Sequence, residues 1–254
     1  MASNPPGPCC VRGNLFGGEP KGKLTKLADD KTDAYIATAS GPNAESRKNT
    51  AILIVTDIFG IWPNSKLIAD EFAVEGYTTL VPDLFNGDQA SLNPPAGFDI
   101  FKWLAEGTGG KNPHTKEIVD GIVAEAIKTL KGQGFTKIGA VGYCFGAKYV
   151  VRQAKLGIDV AYVAHPSFVD EEELASLKIP FAIAAAETDT IFPNEKRYQS
   201  EEILKKTGVP YQINLYQGVE HGFAVRGDLS KKVVKYAKKS AFNQAIEWFE
   251  EFLV

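Results

Sequence analysis

A cysteine set between two glycines is the residue of this 254-residue chain best placed for covalent chemistry. It is Cys144, in Gly142-Tyr143-Cys144-Phe145-Gly146. The apolar run Ile138-Gly139-Ala140-Val141 precedes it, and Ala147-Lys148-Tyr149-Val150-Val151 follows. That order predicts a buried strand, a tight turn and a helix. G-x-C-x-G is the nucleophile-elbow pattern G-x-S-x-G with sulfur in place of oxygen. A nucleophile on such a turn sits in strained backbone, and flanking glycines remove the side chains that would clash there. The positive end of the following helix lies behind the sulfur and favours the thiolate.

A cysteine nucleophile needs a base, and the base needs an orienting acid. The chain has three histidines. His114 follows Pro113 at a predicted helix start and reads as a cap or surface residue. His165 and His221 each follow a predicted strand, where a parallel sheet gathers its site. His221 is the better base, in Gly218-Val219-Glu220-His221-Gly222-Phe223 after the last strand. Asp189 ends the strand before it. Taken singly, Asp189 would serve as a helix cap before Pro193 and His221 as an ordinary loop histidine. Taken together, the order Cys144, Asp189, His221 is the nucleophile–acid–histidine order of an α/β-hydrolase triad.

The elements that must position these residues alternate. Thr50–Thr56 is apolar and β-branched, as a strand covered on both faces should be, and it ends at Asp57-Ile58-Phe59-Gly60. Leu67, Ile68, Phe72 and Ala73 recur at helical spacing up to Gly76. Tyr77–Val81 predicts the next strand, and Ile118 to Leu130 a helix with one apolar stripe. Strands follow at 160–164, 181–185 and 211–216, with a last helix through Phe242, Ala245, Ile246, Phe249 and Leu253. Tyr35–Ala39 predicts an edge strand. Residues 1–33, rich in proline and glycine, predict an irregular arm on a single α/β domain of residues 34–254. Residues 86–112 form an insertion rich in Gly, Pro and Asn that could cover a site from above. The sheet should be mostly parallel, with helices on both faces.

Composition excludes several classes. With 44% hydrophobic residues the chain can bury a large core, and its length fits one α/β domain. A formal charge of only −3 implies no general attraction to nucleic acid or acidic membranes. No apolar run approaches the length of a membrane span. Three cysteines, Cys9, Cys10 and Cys144, make no disulfide framework, and the expected compartment is a reducing cytoplasm. No metal is expected, since the histidines lack ligand spacing and Cys9-Cys10 lies far from them in sequence. For the same reason a redox-sensing Cys144 would lack a resolving partner. No cofactor is implied. A monomer or weak homodimer is expected.

Five segments together resemble the dienelactone hydrolase family, which includes carboxymethylenebutenolidase-like proteins. They are Thr56–Gly60, Gly76–Phe85, Val141–Gly146, Ala186–Asp189 and His221–Phe223, within a stretch spanning residues 50–254. The resemblance implies an α/β-hydrolase fold and a Cys-His-Asp triad, mapping onto Cys144, His221 and Asp189. It also implies an oxyanion hole from the backbone N–H groups of Ile58 and Phe145. A carboxylate at the place of Asp57 approaches the resting thiol in the family. Bacterial members resemble one another in carrying a longer glutamate there, and the alternative for Asp57 is a strand-end cap. The bacterial enzymes hold a substrate carboxylate with arginines. One should follow Pro82-Asp83-Leu84, but Asn86-Gly87-Asp88 stands there. Arg226 is left either as that anchor or as an ordinary exposed arginine. Trp62, Tyr143, His165, Phe192 and Phe223 are candidate pocket walls, with core packing as the alternative for each. The function implied is hydrolysis of a small-molecule ester or lactone. A thioesterase or tailoring hydrolase of a biosynthetic pathway is a rival, as is a binding module without turnover.

Overall fold

Strand β5 (Lys137–Tyr143) runs through the middle of the molecule, and every residue after Lys137 in it is buried. The computed structural model describes all residues, Met1–Val254. β5 is flanked on one side by β3 (Thr50–Val55), β4 (Thr78–Pro82), β2 (Asp33–Ala37) and β1 (Lys23–Lys26). On the other side lie β6 (Val160–Ala164), β7 (Phe181–Thr188) and β8 (Tyr211–Glu220). The sheet order is β1-β2-β4-β3-β5-β6-β7-β8. β3 to β8 pair in parallel, and only β2 runs against them, antiparallel to both its neighbours β1 and β4. β3, β4 and β6 are buried at every residue, as strands covered on both faces must be.

Eight helices cover the sheet: α1 (Pro63–Val74), α2 (Ile100–Glu106), α3 (Lys116–Gly132), α4 (Gly146–Gln153), α5 (Glu171–Ala175), α6 (Asn194–Thr207), α7 (Phe223–Arg226) and α8 (Lys232–Phe252). They divide the core in two. Phe72 of α1 and Phe249 of α8 close one face over Ile52, Ile54 and Val141. Val123 and Ile127 of α3, Val150 of α4 and Leu204 of α6 close the other over Leu53, Ala140 and Val163. None of these helices is long and apolar enough to cross a membrane. The C-terminal strand ends all open on one edge, and that edge holds Asp57, Cys144, His165, Asp189 and His221.

Two features differ from the sequence expectation. Lys23–Lys26, inside the segment expected to be irregular, forms β1 and pairs Leu24 with Tyr35, so β2 is not an edge. β1 is four residues long and buries none of them, which leaves no apolar pattern to read. The rest of the arm is tied down over the strand ends. Asn4 N–H donates to Ile191 O at 2.7 Å, and Asn14 N–H to Arg226 O at 3.0 Å. Between these anchors Pro8–Val11 makes a single 3₁₀ turn. His114, expected at the surface, is buried beside Trp103 and Phe85, with Nε2 3.0 Å from Asp88 Oδ2.

Candidate active site

Cys144 has φ +50°, the left-handed conformation a side chain adopts only when its surroundings hold it there. The two flanking glycines are dictated by contact. A Cβ on Gly142 would meet Ala147 Cα at 2.7 Å, and one on Gly146 would meet Val55 O at 2.0 Å. α4 can therefore start directly behind the sulfur only because β3 and the helix touch backbone to backbone.

His221 lies on the turn after β8, and Asp189 just past the end of β7. His221 Nε2 is 3.1 Å from Cys144 Sγ, and its Nδ1 is 2.9 Å from Asp189 Oδ2. Asp189 Oδ1 accepts from the N–H groups of Ile191 and Phe192 at 2.7 and 2.9 Å, which fixes the carboxylate. All three residues are buried. Burial alone would push the Cys144 thiol up, but the Cys10 S–H and the His221 ring beside it outweigh that and hold it well below its ordinary value. Burial would lower His221, yet Cys144 and Asp189 raise it to about 10. Both shifts favour a thiolate–imidazolium pair, in which the sulfur is ionised and the ring carries the proton.

Asp57 does not bond the thiol. Its Oδ2 accepts from Arg226 Nη1 at 2.6 Å, with both side chains 1% exposed. Burial pushes Asp57 up to about 6 even against the guanidinium. Arg226 is therefore neither a surface arginine nor a free anchor. Its Nε donates to Arg12 O at 3.1 Å, and only Nη2 lacks a partner. The Ile58 and Phe145 N–H groups find no acceptor among the turn and loop hydrogen bonds, while Ile58 O accepts from Ala90 N of the insertion at 3.0 Å.

The structure sorts the expected pocket residues. Phe223 and Arg226 line a cleft of about 320 Å³ that also reaches His221, Cys9, Arg12 and Lys231. His165 is fully buried with φ +39°, its ring 5.1 Å from that of His221 and neither nitrogen hydrogen-bonded. Burial lowers it to about 4, so it is neutral. Tyr143 stacks on His165 from the α1/α8 core. Trp62 packs on Phe59 at 4.9 Å. Phe192 does not face the cleft. Its ring lies in the core with Val163 and Phe181 under Ala2, and only its backbone N–H serves the site.

Sequence reasoning missed two contacts of the sulfur, Ser167, whose Oγ lies 3.7 Å from Cys144 Sγ, and Cys10. Cys10, on the arm, is fully buried with Sγ 3.6 Å from His221 Nε2 and 3.7 Å from Cys144 Sγ. A thiolate can only accept, so the Cys10 S–H donates to Cys144, and that bond pushes the Cys10 thiol far up. The one signal for it was a cysteine pair in a chain with a single other cysteine. Nothing in the spacing says which residue meets Cys144 across 134 positions.

An eight-stranded sheet of this order, with a nucleophile elbow after its central strand and a histidine and an acid on the turns that follow, defines the α/β-hydrolase class. The dienelactone hydrolase from Anabaena variabilis superposes with a TM-score of 0.63 over 93% of this chain and 100% of its own, at 13% identity. The profile of the dienelactone hydrolase family matches residues 32–253, and the chain belongs to that family. It is a carboxylic-ester hydrolase. Among its relatives, hydrolase tropI of Talaromyces stipitatus is 49% identical, covering 100% of this chain and 99% of its own. Hydrolase pyvD of Aspergillus violaceofuscus is 45% identical with the same coverage.

Proposed function

We propose that the protein hydrolyses an ester or lactone through an acyl-thioester on Cys144. The observation that carries this reading is the buried chain from Cys144 Sγ to His221 Nε2 at 3.1 Å and on from Nδ1 to Asp189 at 2.9 Å. The thiolate attacks the carbonyl carbon, and the carbonyl electron pair moves to oxygen. The unbonded N–H groups of Ile58 and Phe145 receive that oxyanion. The intermediate collapses, and the leaving alkoxide takes the proton from His221 Nε2. In a lactone this alkoxide stays tethered to the acyl group. His221 then removes a proton from water, which attacks the thioester, and the second collapse expels the Cys144 thiolate and the acid. An alkoxide needs one proton at one position, which the imidazolium already holds. The substrate is a small molecule entering by the cleft beside Phe223.

The test is hydrolysis of p-nitrophenyl acetate by the wild type and by Cys144→Ala, with intact-protein mass spectrometry during turnover. Loss of activity in the variant and an acetyl adduct on Cys144 in the wild type are expected. Equal rates in both proteins would overturn the assignment of the nucleophile. A panel of lactones, esters and thioesters then separates the substrate classes.

A further inference from the structure

Cys10, Cys144 and His221 come from three distant parts of the chain, yet their donor atoms lie within 4.8 Å of one another. We propose that Cys10 Sγ, Cys144 Sγ and His221 Nε2 form a binding site for a thiophilic divalent cation of the zinc class, and that the bound cation switches hydrolysis off. The spacing fits. Tetrahedral zinc with Zn–S near 2.3 Å and Zn–N near 2.0–2.1 Å sets neighbouring sulfurs about 3.8 Å apart and sulfur and nitrogen about 3.6 Å apart. The observed sulfur–sulfur distance is 3.7 Å and the Cys10–His221 distance 3.6 Å. Only the Cys144–His221 contact of 3.1 Å has to widen, by about 0.5 Å.

The outer contacts also fit. Metal-bound histidine ordinarily donates its other N–H to a carboxylate, and His221 Nδ1 already does so to Asp189. Asp57 is committed to Arg226, so no free carboxylate oxygen competes for the cation and hard oxygen-seeking ions are disfavoured. The fourth position is left to water. His165 is fully buried with its ring 5.1 Å from that of His221 and both ring nitrogens unpartnered. A buried imidazole with no hydrogen bond calls for an explanation, and a cation with its bound water supplies one. On binding, two protons leave, from Cys10 Sγ and from His221 Nε2. A divalent ion with two thiolates is then neutral overall, as is the resting thiolate–imidazolium pair, so no net charge is buried. The cation holds the electron pairs that hydrolysis would use, so the two states exclude each other.

The site uses side chains of the proposed reaction but does not depend on turnover, and the test keeps the two apart. Full-length protein is freed of metal and kept reduced with a phosphine. Zn²⁺ titration is expected to give one ion per chain and to abolish p-nitrophenyl acetate hydrolysis at the same midpoint, reversibly with chelator. Co²⁺, read without any substrate, is expected to give a thiolate-to-metal charge-transfer band and tetrahedral ligand-field bands. Cys10→Ser and Cys10→Ala are each expected to weaken zinc binding by about 100-fold or more, whereas Cys9→Ser leaves it unchanged. Undiminished affinity in both Cys10 variants, or an octahedral cobalt spectrum, would overturn the site. A metal-free protein that binds zinc in this way but hydrolyses no ester would leave the site standing and remove the proposed acyl-thioester reaction at Cys144 instead.

Discussion

The pair Arg226–Asp57 is the most committed charge in the molecule. Removing one partner of a buried ion pair leaves the other uncompensated, at a cost of about 3–5 kcal/mol. Arg226→Met is therefore expected to lower stability by that amount in a denaturant titration. Adding Asp57→Asn should restore much of it, a recovery that a substrate-anchoring role alone would not give. The thiolate–imidazolium pair makes a different prediction. His221 rises from 6.5 to about 10 on folding, so its contribution is complete below pH 6.5 and is lost as pH rises through about 10. Cys144 falls from 9.0, so its contribution is complete above pH 9 and is lost as pH falls through the lowered value. Between pH 6.5 and 9 the two slopes cancel, because folded and unfolded states bind the same number of protons. The melting-temperature difference between wild type and His221→Asn should be level across that window. It should shrink above pH 9, and a steady slope through neutrality would refute the ion pair.

At the scale of elements, the elbow and one helix make opposite predictions for the same substitution. Gly146→Ala drives a methyl into the Val55 carbonyl, and neither backbone can yield without moving β3 from α4. A loss of about 3 kcal/mol or more, or no soluble protein, is expected. Gly121→Ala, in the middle of α3 with nothing within 4 Å of the new Cβ, should stabilise by about 0.5–1 kcal/mol, read by thermal melting. The strands that carry Cys144 and Asp189 were legible because each is a mostly apolar run, a signature of burial on both faces, whereas β8, which carries His221, is largely unburied and was legible from its alternation. The order Cys144, Asp189, His221 was legible because a parallel sheet visits its strand ends in a constrained sequence. The partner of Arg226 was not legible, because it lies 169 positions away after β3 while Arg226 ends α7, and either side chain could have faced solvent. Phe192 was misjudged because an aromatic beside a site residue reads the same whether its ring points into the cleft or under it.

The arm sets the behaviour of the whole molecule. It crosses the strand ends from Val169 to Arg226, and it places the Cys10 thiol 3.6 Å from His221 Nε2. Deleting residues 1–22 removes Cys9 and Cys10 and leaves Cys144 as the one cysteine. The truncated protein is expected to react with N-ethylmaleimide faster than the full chain reacts at Cys144, measured by peptide mapping. It should also melt lower, since Gly13 packs directly on the Arg226 side chain. Unchanged labelling would mean that the arm does not limit access to the sulfur.

The same crossing has a consequence in time. The arm leaves the ribosome well before its anchors at Val169, Ile191 and Arg226, which are synthesised 150 or more residues later. At about 5–20 residues per second the delay before Arg226 is made is roughly 10–40 seconds. Through that interval Cys9 and Cys10 have no dock, and Cys144 has neither its base nor its cover. The nascent chain is thus most exposed to alkylation and oxidation before Arg226 is made, and the turn and short helix that carry His221 and Arg226 end that exposure.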